Sequence, residues 1–223
     1  FLWKYGEISE LKIILMGPPG SGKGTQSSYI SSLVGVHQVS SGDLFRDNLA
    51  RETELGLMAK NFMDNGEYVP DDITIRMVLS WIDEPEHSGG FILDGFPRTV
   101  GQAKALIHHL GTDNGVDRVI FFDVSEEVVV DRLSGRLICT KCQTPFHMIS
   151  YPPKEEGLCD ICGADLYQRS DDSPEVVKNR LVTYKQETEP LVEYFSTLGN
   201  LHEVDASRPV EEVRCSIKQL LGR

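Results

Sequence analysis

The stretch that decides the fold runs from Leu11 to Thr25 and has the sequence LKIILMGPPGSGKGT. An apolar run that ends at Met16 is followed at once by a glycine-rich turn and then by a segment with helical character. This order predicts a strand, a phosphate-binding loop and a helix. Glycines let several backbone NH groups converge on one anion, the helix N-terminus adds positive partial charge, and Lys23 can reach the outer phosphates of a nucleotide.

The loop departs from the general phosphate-loop pattern in one place. Residues 17–23 fit GxxxxGK, but Gly24 stands where a serine or threonine normally helps to hold Mg²⁺, and the hydroxyl comes one residue later at Thr25. A glycine-rich turn after an ordinary strand is the competing interpretation. The glycines, the lysine and the predicted strand directly before them together favour a polyphosphate site.

Composition limits the size, the partners and the location of the protein. The chain has 223 residues, 40% of them apolar, so it can bury one sizeable core with small insertions. Its 22 basic and 34 acidic residues give a net charge of -12, which disfavours nucleic acid and anionic membranes as partners. The chain contains no apolar run of about 18 residues and its N-terminus, FLWKYGEISE, has no secretory pattern. We therefore expect a cytoplasmic protein, or an organelle-matrix protein if a targeting segment has been removed.

Five short apolar segments alternate with helical patterns, which predicts an α/β fold with a five-stranded parallel sheet. The predicted strands lie near residues 12–16, 36–39, 91–94, 118–123 and 201–204. Helical patterns in residues 44–80 are broken at Gly56, Gly66 and Pro70, which indicates a small helical insertion.

A second informative stretch is GFILDGFPRTVGQ at residues 90–102. Asp94 follows a buried strand, where an acidic residue opposite a phosphate loop orders Mg²⁺ or its waters. Taken alone, Asp94 fits a helix-capping role equally well. Arg98 favours the first interpretation, because an arginine in the turn after a strand offers a planar, bidentate partner for a phosphate.

Four further arginines flank a cysteine-rich segment. Arg132 and Arg136 are four residues apart on a predicted helix and should share one face, while Arg169 and Arg180 flank the start of a helix predicted at Pro174. A solvated basic face is the simpler interpretation of the first pair. That interpretation is weakened because the predicted helix leads directly into the cysteines.

The cysteines have the spacing C-x2-C-x16-C-x2-C, at Cys139, Cys142, Cys159 and Cys162. Two CxxC pairs at this separation give four thiolates the geometry of a tetrahedral Zn²⁺ site with no open position, so the metal is predicted to be structural. Disulfides are disfavoured by the odd fifth cysteine, Cys215, and by the absence of a secretory pattern. We assign no role to Cys215.

Taken together, these motifs resemble one family. GPPGSGKGT, SSGDLFR, DGFPRTVGQ, DRLSGR, the cysteine pattern and QRSDD followed by KNR are similar, in this order, to segments of adenylate kinases of the long type with a zinc-bearing lid. The similarity covers nearly the whole chain from residue 11. It implies a P-loop kinase core with a helical insertion that binds a nucleoside monophosphate, and reversible, Mg²⁺-dependent phosphoryl transfer, ATP + AMP = 2 ADP.

The resemblance also implies a division of the chain. Residues 1–39, 71–132 and 172–223 would form the core, residues 40–70 the AMP-binding insertion and residues 133–171 the zinc-binding lid. The displaced hydroxyl at Thr25 is the family's own form of the loop. Mg²⁺ is then expected to be held largely through water and Asp94.

Individual residue roles follow from the same resemblance. The implied catalytic residues are Lys23, Asp94, Arg98, Arg136, Arg169 and Arg180. The implied ATP-binding residues are Gly20, Ser21, Gly22, Lys23, Gly24, Thr25, Arg132 and Arg136, with Arg132 packed on the adenine. The implied AMP-binding residues are Ser41, Arg46, Val69, Gly95, Arg98, Gln102, Arg169 and Arg180.

Three other functions stay open at this point. A GTP-dependent AMP kinase or another nucleoside monophosphate kinase would share most of these motifs. A hydrolytic GTPase or ATPase switch would need a serine or threonine directly after Lys23. A zinc-ribbon module that binds nucleic acid would need a basic knuckle, whereas residues 139–162 contain more acidic than basic side chains. We expect a monomer whose partners are ATP, AMP and ADP.

Overall fold

The strand β1 (Leu11–Met16) lies at the centre of a five-stranded sheet in the computed structural model, which describes residues 11–111 and 115–223. The other strands are β2 (His37–Ser40), β3 (Gly90–Asp94), β4 (Arg118–Asp123) and β8 (Leu201–Asp205). The strand order is β2-β3-β1-β4-β8, and all four pairings are parallel. The predicted fold class is confirmed, and β2 begins and ends one residue later than predicted.

Both faces of β1 are covered, which explains its unbroken apolar sequence. Ile14 and Met16 belong to a core on one side of the sheet, and Ile13 and Leu15 belong to a second core on the other side. All four side chains are at most 2% exposed. Burial of each such side chain contributes about 1.5–3 kcal/mol. A parallel strand buried on both faces needs this continuous pattern, because successive side chains point to opposite sides.

Helices cover the two faces of the sheet. α1 and α9 pack on the face that contains Ile13, and α4, α5 and α8 pack on the face that contains Ile14. These helices are α1 (Lys23–Val34), α4 (Asp71–Ile82), α5 (Val100–Leu110), α8 (Pro190–Thr197) and α9 (Val210–Leu220). None of the helices in the described part of the chain is long and apolar enough to cross a membrane.

The helical insertion predicted between β2 and α4 contains α2 (Ser41–Ala50) and α3 (Glu54–Asn65), which share a small core with Val69 and Ile73. The prediction that Gly56 breaks a helix is wrong. Gly56 lies in the first turn of α3, where a Cβ would stand only 2.4 Å from backbone atoms of Asn48 and Leu49. The glycine therefore serves close backbone packing between α2 and α3.

The cysteine-rich segment folds as a small three-stranded antiparallel sheet after α6 (Glu126–Ser134). Its strands are β5 (Arg136–Cys139), β6 (Pro145–His147) and β7 (Leu166–Tyr167), in the order β6-β5-β7. The prediction that Arg132 and Arg136 share a helix face is wrong, because α6 ends at Ser134. A Cβ at Gly135 would stand 2.4 Å from the His147 ring, and Arg136 pairs with His147 as the first residue of β5.

The chain returns to the core through α7 (Pro174–Thr183), which has proline at its first position as predicted. A π-helical turn at residues 184–188 follows, and α8 then begins at Pro190. Tyr184 and Thr188 of this turn are buried. The helical geometry thus changes for one turn before Pro190 opens α8.

Gly90 supplies a test of the sheet. Its φ is +111°, and a Cβ would stand 2.4 Å from the backbone N and O of Leu11 on the neighbouring strand. We expect Gly90→Ala to lower the free energy of unfolding by about 2–4 kcal/mol, since the backbone strain and the clash both fall on the central strand pair. Gly89→Ala is the control, because open space surrounds that position. Equal urea denaturation midpoints for the two variants would contradict this account.

Candidate active site at the carboxyl end of the sheet

The glycine-rich loop after β1 has a backbone that other residues cannot easily adopt. Gly17 has φ +143°, and a Cβ there would stand 2.7 Å from the Phe122 carbonyl oxygen. Gly22 caps α1 with φ +96°, so the chain enters the helix from a left-handed conformation. The loop therefore wraps tightly over the N-terminus of α1, the end at which helices bind anions.

Lys23 lies in the cup of this loop. Its Nζ donates hydrogen bonds to the carbonyl oxygens of Gly17 (2.8 Å) and Pro18 (2.7 Å). Burial lowers the pKa of Lys23 to about 8, and the nearby Asp94 carboxylate only partly opposes this shift. An anion bound in the loop would favour the charged ammonium, because an opposite charge at close range stabilises it.

Asp94 ends β3 and faces the first turn of α1. A Cβ at Gly24 would stand 3.6 Å from Asp94 Oδ2, an ordinary contact distance, so the first turn of α1 lies directly beside this carboxylate. Burial raises the pKa of Asp94, with Lys23 and Arg98 opposing the shift. Carboxylate and hydroxyl oxygens are the ligands that Mg²⁺ prefers. Asp94 and the partly buried Thr25 therefore fit a magnesium site next to the loop.

The turn after Asp94 arranges the residues predicted for the AMP side. The Gly95 carbonyl oxygen accepts hydrogen bonds from Ser41 Oγ (2.7 Å) and from Arg98 Nε (2.7 Å). Gln102 Oε1 accepts from the Arg98 backbone N at 2.7 Å. The peptide bond before Pro97 is cis. These contacts bring Ser41 together with Gly95, Arg98 and Gln102, which lie 54 or more residues further along the chain.

Asp71, the first residue of α4, supports this turn. Its Oδ1 accepts from Gln102 Nε2 (2.7 Å) and its Oδ2 from Thr99 Oγ1 (2.6 Å). Val69, also predicted for the AMP side, is buried two residues earlier in the core of the insertion. An aspartate at the start of a helix does not indicate, from the sequence, that its side chain will accept hydrogen bonds from residues as distant as Thr99 and Gln102.

Two carboxylates hold the arginines near the start of α7. The Asp172 side chain is fully buried and accepts from Arg136 Nε (2.7 Å) and from Arg180 (3.3 Å). Asp171 accepts a second hydrogen bond from Arg180 at 3.1 Å. Burial lowers the pKa of Arg180 to about 10, so its charge is held in a site with little water. Sequence reasoning missed both roles, although the adjacent aspartates between two arginines were a usable signal.

Arg169 approaches the insertion from the other side of the crevice. One of its terminal nitrogens lies 3.6 Å from Asp43 Oδ1, and Asp43 also pairs with Arg46. Its Nε is buried without a hydrogen-bond partner. Burial lowers the pKa of Arg169, and the charges of Arg46 and Arg136 lower it further. An unpartnered donor among repelling cations is a place where an anionic ligand would be stabilised.

Arg132 makes a different kind of contact. Its guanidinium donates to the carbonyl oxygen of Ala206 (2.9 Å), directly after β8, and approaches that of Ser21 in the glycine-rich loop (3.4 Å). The charge therefore lies over the back of the loop rather than with the other arginines. This location is compatible with a flat surface for an adenine ring.

The electrostatic contacts join these parts into one charged crevice. Lys23 interacts with Asp94, Arg98, Arg136 and Arg180, so the loop and the arginines of both flanks act on the same charge. In a parallel sheet, the loops that follow the carboxyl ends of the strands share one edge. Two phosphorylated groups can be neutralised within this crevice.

The cysteine cluster forms a second, separate site in the small sheet. The Sγ atoms of all four cysteines lie within 4.8 Å of one another, and the pairs 139–162 and 142–159 are 3.4 and 3.5 Å apart. A disulfide would need about 2.05 Å. Two thiolates on a tetrahedral Zn²⁺ are about 3.8 Å apart, given Zn–S bonds of about 2.3 Å. The donor set therefore fits a metal ion, as predicted.

Backbone NH groups prepare the cluster for thiolate ligands. The NH groups of Lys141 and Cys142 both lie 3.4 Å from Cys139 Sγ, and that of Ile161 lies 3.4 Å from Cys159 Sγ. Such contacts stabilise negative charge on sulfur. His147 is occupied elsewhere, because its Nδ1 accepts from two backbone NH groups. His147 is buried and packs beside Gly135, so it is not available as a fifth ligand.

Comparison with known proteins agrees with this arrangement. The family model described as adenylate kinase matches residues 15–200. The adenylate kinase of Carboxydothermus hydrogenoformans is 48% identical over 215 residues, which cover 96% of this chain and 100% of that protein. The adenylate kinases of Streptomyces avermitilis (46% identical; 91% of this chain, 93% of that protein) and Methanosarcina mazei (46%; 96% and 99%) are similar over comparable lengths. With matches that span nearly its whole length, the chain belongs to the adenylate kinase family.

Proposed function

We propose that this protein is a phosphotransferase that catalyses ATP + AMP = 2 ADP and so balances the adenine nucleotides. The observation that carries the proposal is the crevice that gathers the loop around Lys23, the turn that holds Arg98 and the Asp172 carboxylate that holds Arg136 and Arg180, all close enough for their charges to act on Lys23. A hydrolytic switch needs one phosphate site, whereas the cations proposed here would serve a donor phosphate and an acceptor phosphate. The family membership supports the same activity.

The ATP phosphates would lie in the glycine-rich loop. The backbone of Gly20, Ser21, Gly22 and Gly24 and the hydroxyl of Thr25 would contact them, and Lys23 would move from the loop carbonyls to the outer phosphates. Arg132 would pack against the adenine. The tight loop conformation supports this proposal, since its backbone NH groups lie at the N-terminus of α1.

AMP would occupy the other side, beneath α2 and α3. Its phosphate would be bound by arginines from the insertion and the turn after β3, and its base would lie near Val69, Gly95 and Gln102. Ser41 would contact the nucleotide from the start of α2. The proposed AMP-side arginines are Arg46, Arg98, Arg169 and Arg180.

The chemistry needs alignment and charge stabilisation more than proton transfer. The acceptor phosphate of AMP is already an anion, so a general base is not required. Arg98, Arg136, Arg169 and Arg180 would neutralise the transferring group while the donor and acceptor oxygens are held in line. The carboxylates of Asp171 and Asp172 would hold two of these arginines in place between turnovers.

Magnesium is the expected cofactor of the ATP side. It would supply charge neutralisation of the phosphates, and Asp94 would hold it largely through water. The close approach of the first turn of α1 to Asp94 supports this assignment. A carboxylate there also keeps Lys23 near the loop by their mutual attraction.

We further propose three functional units. Residues 1–39, 71–132 and 172–223 would be the core, residues 40–70 the AMP-binding insertion and residues 133–171 a lid. Closure of the lid over ATP would exclude water, whose attack would hydrolyse the nucleotide. The four cysteines would bind a structural Zn²⁺ that holds the lid together, because a sheet of this size has little apolar core.

The remaining proposals concern the oligomeric state, the cellular compartment and the partners of the protein. A monomer is sufficient, because one chain supplies both sides of the crevice. Free thiols suit a reducing compartment, which supports the cytoplasm, with an organelle matrix as the alternative. ATP, AMP and ADP would be the partners, and the net charge of -12 argues against nucleic acid and anionic membranes. A GTP-dependent AMP kinase is the nearest rival, and a zinc-ribbon nucleic-acid binder the most distant.

A substrate panel tests the activity itself. We expect fastest diphosphate formation from ATP with AMP among all pairs of four triphosphates and four monophosphates. Lys23→Ala should lower kcat by roughly a thousandfold, because it removes a cation from the transferring phosphate. Lys104→Ala, an exposed lysine on α5, is the control. GTP as the preferred donor, or near-parental turnover by Lys23→Ala, would refute the assignment.

The division of the crevice is tested by nucleotide-specific kinetics. We expect Arg98→Ala and Arg46→Ala to raise the KM for AMP by roughly tenfold or more, and the KM for ATP much less, since charge-assisted hydrogen bonds to the AMP phosphate are lost. Arg76→Ala removes an exposed arginine on α4 and should change neither value. Equal rises for both nucleotides would show that the two sides are assigned wrongly.

The metal is tested by elemental analysis and melting curves. The parent should contain about one Zn²⁺ per chain, and Cys139→Ser should lower Tm because metal binding energy is folding energy. Where the variant is still folded, turnover should stay within roughly tenfold of the parent. Cys215→Ser is the matched control, since this exposed cysteine lies outside the cluster. A metal-free, fully active parent would rule out the structural zinc.

A further inference from the structure

Tyr68 connects the helical insertion to the core. It lies in the segment between α3 and α4, and it is only partly exposed. Its ring and its hydroxyl reach the same residue, Arg98, by two different routes. No role for Tyr68 follows from its sequence context.

The first route is a cation–π contact. The guanidinium carbon of Arg98 lies 4.9 Å from the centroid of the Tyr68 ring. At the edge of the same guanidinium group, Arg98 Nε donates a hydrogen bond to the Gly95 carbonyl oxygen at 2.7 Å. These contacts use the flat face and Nε of Arg98 rather than its two terminal nitrogens, which can form a bidentate contact with a phosphate.

The second route is a directed chain of hydrogen bonds. Thr188 Oγ1 donates to the Arg98 carbonyl oxygen at 2.8 Å, and the Tyr68 hydroxyl lies 2.8 Å from the same Oγ1. A threonine hydroxyl has one hydrogen, so Thr188 must accept from Tyr68. Thr188 is buried in the π-helical turn before α8. The Arg98 backbone is therefore tied to the core through Tyr68 and Thr188.

Contacts restrain the backbone N, the carbonyl oxygen and the Nε of Arg98, and they leave its two terminal guanidinium nitrogens for a ligand. Gln102 holds its backbone N, Thr188 its carbonyl oxygen and Gly95 its Nε. Tyr68 takes part in two restraints, one on the side chain and one on the carbonyl. An arginine held in this way loses less conformational entropy than a free side chain when its terminal nitrogens bind a phosphate.

We infer that Tyr68 is a positioning residue for Arg98 and thereby sets the affinity for the acceptor nucleotide's phosphate. The inference rests on the proposed function, because it requires the acceptor to bind at Arg98. Tyr68 also lines a cavity of about 570 Å³ together with Val69, Asp71 and Thr99. A direct contact between the ring and the nucleotide is the competing role that the experiment must separate.

The first measurement is a comparison of steady-state kinetics. Tyr68→Phe removes the hydroxyl and keeps the ring, and we expect the KM for AMP to rise about two- to fivefold. Tyr68→Leu removes both routes and should raise it about tenfold. The KM for ATP should change less than about twofold, because the donor side is untouched, and kcat should fall together with the affinity for AMP, because Arg98 also neutralises the transferring group.

Tyr29→Leu is the matched control. Arg214 lies over the Tyr29 ring at 5.0 Å, so this change removes an equivalent arginine–tyrosine contact, between α1 and α9. It should leave the KM for AMP unchanged even if it lowers stability. Thr188→Val should reproduce the effect of Tyr68→Phe, and it carries the test if Tyr68→Leu fails to fold.

The second measurement repeats Tyr68→Leu in an Arg98→Ala background. If Tyr68 acts through Arg98, the KM for AMP should not rise further there. A further rise of about tenfold would mean direct contact with the nucleotide and would overturn the inference. An unchanged KM in the Tyr68 variants of an active enzyme would also overturn it. A parent that cannot phosphorylate AMP would instead refute the proposed function.

Discussion

The burial of β1 on both faces is the constraint on which the rest of the structure depends. Ile13 to Met16 are locked between two cores, so the strand cannot shift, and its carboxyl end fixes where the glycine-rich loop starts. The loop then has only the space left by Phe122 of the adjacent strand, which is why Gly17 tolerates no side chain. The position of Lys23 follows from packing that lies wholly outside the crevice.

An acidic protein that binds polyanions must gather its cations locally. The chain has a net charge of -12, yet Lys23 and the arginines meet at one edge of the sheet. Their mutual repulsion and burial are costly, and lowered pKa values at Lys23, Arg169 and Arg180 express that cost. Buried Asp172 offsets part of it. A polyanionic ligand would offset the rest, so the crevice is organised to favour the bound state.

The positioning of the arginines comes from groups that do not themselves suggest nucleotide binding. Asp172 orients Arg136 and Arg180, and Tyr68 and Thr188 restrain Arg98. In the proposed division both restraints cross between the core and another unit: Asp172 of the core holds Arg136 of the lid, and Tyr68 of the insertion holds Arg98 of the core. The orientation of these arginines therefore depends on how the lid and the insertion pack on the core.

The sequence by itself determined the sheet, the phosphate loop and the cysteine cluster. Each of these depends on local order: a buried strand needs consecutive apolar residues, a loop that binds phosphate needs glycines at fixed offsets, and a metal knuckle needs cysteines at short spacing. Predictions from local order were wrong at Gly56 and at Arg136. In both places the secondary structure depends on what packs against a glycine, which is Gly56 itself in the first case and Gly135 in the second. Only the tertiary structure decided these points, because the Asn48 backbone and the His147 ring are brought there by other elements. The same holds for Asp71 and Tyr68, whose hydrogen-bond partners lie 28 to 120 residues away. Hydrogen-bond partners at such separations are set by how the elements pack, and no spacing rule along the chain encodes them.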